Sequence, residues 1–133
     1  MAGTLTISTL SDGTNSTSST NCIQGSAKAW ANFNATSSPA IRASYNFSSI
    51  TRVSQGAYTF AFTNALSDIN YSVVATSSGD QNGSTTAFPY PIQIFVNSSN
   101  TVTAPTTTGF GIRQSWNGSG LADPTYLCIT VNR

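Results

Sequence analysis

The chain contains no histidine and no glutamate, and only 7% of its 133 residues are charged. An ordinary soluble domain carries about 25%. The missing histidine removes Ser-His-Asp and Cys-His arrangements together with the commonest metal ligand. The four acids are all aspartates, Asp12, Asp68, Asp80 and Asp123, set far apart in the chain. Five bases and a net charge of +1 make no basic stripe, so neither nucleic acid nor an anionic membrane is an expected partner. No run approaches the roughly 20 apolar residues of a membrane span. The opening Met1-Ala2-Gly3-Thr4 lacks the charged and apolar stretches of a secretory leader.

Cysteine is scarce too. Cys22 and Cys128 lie near the two ends of the folded part. Pairing of terminal strands would allow a disulfide; without a leader, two small buried thiols are the plainer arrangement. Neither has a basic neighbour in sequence to activate it.

What fills the chain instead is Ser, Thr and Asn. A surface of hydroxyls and amides with a net charge near zero offers little repulsion between copies. This composition fits an oligomer, or a subunit of a larger assembly. The length suits one domain with a core of its own.

Residues 3–10 alternate Leu5 and Ile7 with Thr and Ser, as an edge strand or attachment arm would. Residues 11–21 (SDGTNSTSSTN) hold no large apolar side chain and read as a linker, or as an extended arm laid on a neighbour. From Ile23 onward the pattern is β. SAKAWANFN (26–34) sets Ala27, Ala29, Ala31 and Phe33 against Lys28, Trp30 and Asn32. AIRASYNF (40–47) sets Ile41, Ala43, Tyr45 and Phe47 against Arg42, Ser44 and Asn46. Period 2 marks half-buried strands. Ser54-Gln55-Gly56 separates two more such runs, and Gly suits the left-handed position of a three-residue hairpin loop. Further strands are expected at 71–75, 92–97, 101–104, 109–115 and 126–131, with at most one helical turn at 65–69. Gly109 and Gly111 around Phe110 signal a bulge or a close backbone approach. Short strands joined by Gly, Asn, Ser and Pro turns predict an all-β fold: a single antiparallel β-sandwich or jelly-roll-like domain at 22–133, behind an arm and linker at 1–21.

Chemistry has few places to sit. Asp68 precedes a strand and Asp123 precedes Pro124, so both read as turn residues. Two carboxylates can form a glycosidase pair, but turn positions argue against it, and no catalytic residue is expected. Gly79-Asp80-Gln81-Asn82-Gly83 offers oxygen ligands without the alternating acids of a strong Ca²⁺ site, so no metal or other cofactor is expected. Sequons at Asn15, Asn34, Asn46, Asn70, Asn82, Asn97 and Asn117 follow from the Ser and Thr content. Trp30, Phe33, Tyr45, Phe47, Tyr58, Phe60, Phe62, Tyr71 and Phe95 stand at strand spacing and are expected in the core. Phe88, Tyr90, Trp116 and Tyr126 instead lie in or beside Gly, Asn and Pro loops. A ring with neighbouring amides grips a sugar or a protein loop, the ring supplying apolar area and the amides orientation. Asn82, Phe88, Tyr90, Trp116 and Asn117 are therefore the candidate binding residues; covering the sandwich ends or a subunit seam is the plainer role for such rings.

A longer pattern runs through residues 9–75: TLSDGTNSTSSTNCIQGSAKAWANFN, AIRASYNFSSITR, GAYTFAFT and NYSVV, in that order. It resembles a domain found in the C-terminal part of tail-fibre and related virion proteins of tailed bacteriophages, and in short stand-alone virion proteins of marine and cyanobacterial phages. Cys22 departs from it, standing where an aliphatic or small residue is usual, and so does 35–39 (ATSSP), which replaces a Gly-rich turn. The resemblance implies a β-sandwich displayed on a virion, often as a homotrimer, joined to other virion proteins and contacting a host-surface glycan or protein. It carries over no catalytic residues. It leaves open a tail-fibre or spike head, a capsid decoration protein or a carbohydrate-binding module.

Overall fold

A computed structural model describes residues 3–36, 39–78, 91–116 and 120–133. The fold is all-β and sandwich-like. After a hairpin of β1 (Thr9–Ser11) and β2 (Ser16–Ser18) comes a helix, α1 (Ser19–Gly25). The strands β3 (Ala27–Asn34), β4 (Ala40–Tyr45), β5 (Phe47–Ser54), β6 (Ala57–Phe62), β7 (Ser72–Ser77), β8 (Ile92–Ile94), β9 (Gly109–Trp116), β10 (Gly120–Leu121) and β11 (Leu127–Asn132) follow. One sheet has the order β4-β3-β11-β7; the other runs β10-β9-β6-β5, with β8 also on β9. Every pairing is antiparallel.

The core lies between the sheets, built chiefly from alternate residues of β3, β6, β9 and β11. Ala29, Ala31 and Phe33 of β3 and Leu127, Ile129 and Val131 of β11 point inward from one sheet. Tyr58, Phe60 and Phe62 of β6, with Phe110 and Ile112 of β9, meet them from the other. At the centre Phe60 and Phe110 face each other across the ladder, stacked at 5.1 Å. The close approach signalled by Gly109 and Gly111 is present. A Cβ on Gly109 would collide with the Phe60 carbonyl oxygen, and one on Gly111 with that of Val96.

The hairpin glycine also behaves as its position demands. Gly56 has φ +66, and a Cβ there would strike the Gln114 carbonyl oxygen. Gly56→Ala combines that clash with a left-handed backbone, and an expected loss of at least about 1–2 kcal/mol follows. A urea denaturation midpoint equal to that of the parent would refute it.

Five expectations need correction. Residues 11–21 are not simply extended. The Asp12 carboxylate accepts from the Thr14 and Asn15 amides at 2.9 and 2.7 Å, and Gly13 takes φ 95, closing a hairpin. Asp12 and Gly13 are turn residues, the first through its side-chain bonds to the following amides and the second through its positive φ. These amides, Asn15 first, hold the Asp12 carboxyl below its usual range. The helix lies at Ser19–Gly25, capped by Ser18 Oγ accepting from the Asn21 amide at 3.1 Å, and not at 65–69. There the chain bends instead, with Asp68 Oδ1 accepting from the Asn70 amide at 2.8 Å, as a turn aspartate should.

Trp30 and Tyr45 are outside the core, 41% and 58% exposed. They are cross-strand partners on the outer face of their sheet, because the small inward row of β3 already fills the core side. The period-2 run through Phe47 is also broken. Asn46, at φ 58, turns the chain from β4 in one sheet to β5 in the other. Its side chain holds this corner, accepting from the Asn64 amide at 2.8 Å and donating to the Lys28 and Asn64 carbonyls at 3.0 and 3.2 Å. Finally, both cysteines are free thiols, but Cys22 is half-buried and Cys128 exposed rather than buried.

Candidate functional site

Strand β9 organises a polar concavity of the sandwich. Its inward residues, Ile112 and Gln114, are buried, which leaves Arg113 and Ser115 on the outer face. Gln93 of β8 stands opposite Arg113, and Leu121 of β10 opposite Ser115. With Pro91, Asn100 and Gly120 these residues line a cavity of about 550 Å³. Asn100 is delivered by a tight turn: it has φ 61, its amide reaches the Asn97 carbonyl at 3.1 Å, and Asn97 Oδ1 accepts from the Ser99 and Thr101 amides. The Pro91 side is fixed by its carbonyl, which accepts from the Ser115 amide at 3.2 Å.

The Gly120–Leu121 wall is held from behind by Asp123. Its carboxylate accepts from Arg52 Nε at 3.0 Å and Nη2 at 2.6 Å, from the Gly56 amide at 2.8 Å, and from the Tyr58 hydroxyl. Burial pushes the Asp123 carboxyl up, but these donors, Arg52 first, outweigh it and hold it below the usual carboxylate range. The same burial and the adjacent carboxylate push the Tyr58 hydroxyl well above 10. Asp123 is thus a long-range anchor joining the β5–β6 hairpin to the approach to β11, not the local turn residue its Asp-Pro pair suggested.

Charge at the cavity comes from Arg113 alone among its lining residues. The other bases are engaged. Arg52 pairs with Asp123 and Arg133 with Asp68. Arg42 donates to the Thr125 carbonyl at 2.6 Å and lies 4.1 Å over the Tyr126 ring. Lys28 donates to the Ile23 carbonyl and to Ser26 Oγ. The Arg113 side chain has no hydrogen-bond or ion-pair partner among the described residues, and its Nε is buried. Beneath it, Gln114 donates from Nε2 to Ser77 Oγ at 3.0 Å across to the other sheet, while its Oε1 is unpartnered.

Of the residues proposed from the sequence, Trp116 ends β9, its backbone paired with Gly120. Asn82, Phe88, Tyr90 and Asn117 lie outside the described residues, as does the 79–83 stretch considered for Ca²⁺. The segments 79–90 and 117–119 rejoin the described chain at Pro91 and Gly120, and both of these line the cavity. The sequence reading did not single out Gln93, Asn100, Arg113 or Ser115. Their signal is only the polar half of a strand alternation, which an ordinary solvated face shares.

The arm presents a different surface. Leu5 is 82% exposed and Ile23 65%, and Ile7 and Leu10 are also open to solvent. No residue of α1 is buried. Leu5, Ile7, Leu10, Cys22 and Ile23 surround a largely apolar groove of about 380 Å³. Among the described residues no three His, Cys or Asp side chains come together as a metal site, and no helix is long and apolar enough to cross a membrane. Comparison with family models, curated proteins and solved structures finds no match for this chain.

Proposed function

We propose that this chain is a bacteriophage virion structural protein, the trimeric head of a tail fibre or spike, which contacts the host surface and catalyses no reaction. One observation carries the reading: a groove walled by the exposed Leu5, Ile7 and Leu10 of the arm and Ile23 of α1 is distinct from the polar cavity around Arg113 on the sandwich, where other apolar side chains such as Val53, Val74 and Val102 are also exposed. Exposed apolar clusters of this kind mark protein contacts. In this reading the arm joins the head to other virion proteins and needs neither nucleic acid nor membrane. The cavity and its flanking segments, with Asn82, Phe88, Tyr90, Trp116 and Asn117, meet the receptor. The long resemblance across residues 9–75 supports the virion setting.

The arm equally suits a capsid decoration protein, which would clamp capsomers through the same apolar residues. A carbohydrate-binding module accounts for the cavity but not for the arm. Competition separates them. Purified oligomer added to host cells is expected to bind them and to block adsorption of the parent virus. A folded, assembled oligomer that does not bind host cells would overturn the receptor-binding role and favour decoration.

A further inference from the structure

We infer that the cavity over Arg113 takes a carboxylate-bearing sugar, a uronate or sialate residue of a host-surface glycan. The inference rests on the host-contact reading and specifies the ligand class for that site. The first argument is the state of Arg113. Every other base of the chain has a partner, whereas Arg113 has none among the described residues and its Nε is buried. Of the acids, Asp12, Asp68 and Asp123 are occupied elsewhere and Asp80 lies outside the described residues. A guanidinium presents its donors as a planar fork that matches a carboxylate.

The second argument is what surrounds it. Gln93, Asn100 and Ser115 provide neutral donors and acceptors for hydroxyls, and Pro91 and Leu121 provide apolar area for the C–H face of a ring. A cavity of about 550 Å³ has room for more than a small inorganic anion. Among the described residues the lining holds no acid to repel a carboxylate. A neutral sugar would satisfy the amides and leave Arg113 unpaired; a bare anion would satisfy Arg113 and leave the amides and apolar walls unused.

The test uses the whole assembled protein and a panel of uronate- and sialate-bearing oligosaccharides, each with its neutral methyl ester, read by calorimetric titration. At least one acidic member should bind, and its ester at least tenfold more weakly. Arg113→Gln should weaken the acid at least tenfold and leave the ester unchanged, while Arg113→Lys, keeping charge but losing the fork, should fall between. Arg133→Gln, which removes a base outside the cavity, should bind as the parent does. Thermal melting matched to the parent confirms that a variant is folded. Equal affinity for acid and ester, no effect of Arg113→Gln, or displacement of the acid by equimolar inorganic phosphate would each overturn the inference. If no acidic member binds while host cells are still bound, the ligand class fails and the host-contact reading stands; if host cells are not bound either, both fail.

Discussion

Phe110→Ala is expected to cost about 3–5 kcal/mol, a large share of the 5–15 kcal/mol that holds an ordinary domain folded. The ring meets Phe60 at 5.1 Å, Phe62 at 5.8 Å, Tyr71 at 6.1 Å, Phe95 at 6.2 Å and Phe47 at 6.3 Å. Truncation removes its share of all five aromatic contacts and leaves a hole. The loss depends on how far the site can collapse around the hole. Phe110→Leu, which fills most of the volume, should lose much less. Denaturant midpoints for the two variants provide the check. A Phe110→Ala loss below about 1 kcal/mol would show that the cluster repacks freely.

Asp123→Ala should destabilise by about 2–4 kcal/mol, because three donors lose one acceptor. Arg52 retains an unpaired guanidinium, and the Gly56 amide and the Tyr58 hydroxyl lose a bond. Asp123→Asn keeps the shape and should lose less. The pair also has a pH signature. The Asp123 carboxyl is held below its usual range in the fold. Its stabilisation is therefore complete above the unfolded value of about 3.9 and is lost as pH falls through the folded value. Asp68, held at about 2, first by Arg133 and then by the Asn70 amide, titrates in the same direction from an exposed position. The parent should lose stability progressively below about pH 4, and Asp123→Asn should show a shallower acid limb. Identical acid limbs would remove Asp123 from the account. The tyrosines act at the other end. Tyr71, raised by burial to about 12, and Tyr58, raised further, favour the fold until pH climbs past about 10.

Asp123 also shapes the candidate site. It holds the segment that carries Leu121, so Asp123→Ala should disturb the cavity wall as well as the fold. Arg113 should not behave this way, since its guanidinium bonds to no described residue. Stability and ligand binding are therefore separable between the two positions.

The limits of the sequence follow from the range of the interactions. Period 2 shows that the faces of β3 differ, and the row Ala29, Ala31, Phe33 is the inner one. The same alternation does not say that a run must stay in one sheet. Asn46 breaks the run after Tyr45, and its reasons are the amide of Asn64 and the carbonyl of Lys28, both 18 positions away. Hence Tyr45 and its cross-strand partner Trp30 are outside while Phe47 is inside.

Local chemistry was legible from the residues themselves: the all-β class, the left-handed Gly56, the close approach at Gly109 and Gly111, and the Asp68 turn each depend on neighbours a few positions away or on backbone sterics. Tertiary structure alone decided the rest. Asp123 meets Arg52 across 71 positions, and β8, β9 and β10 bring Gln93, Arg113 and Leu121 to one cavity. Partners at such separations are chosen by which strands pair and in which register, and the register is set by burying the whole core at once.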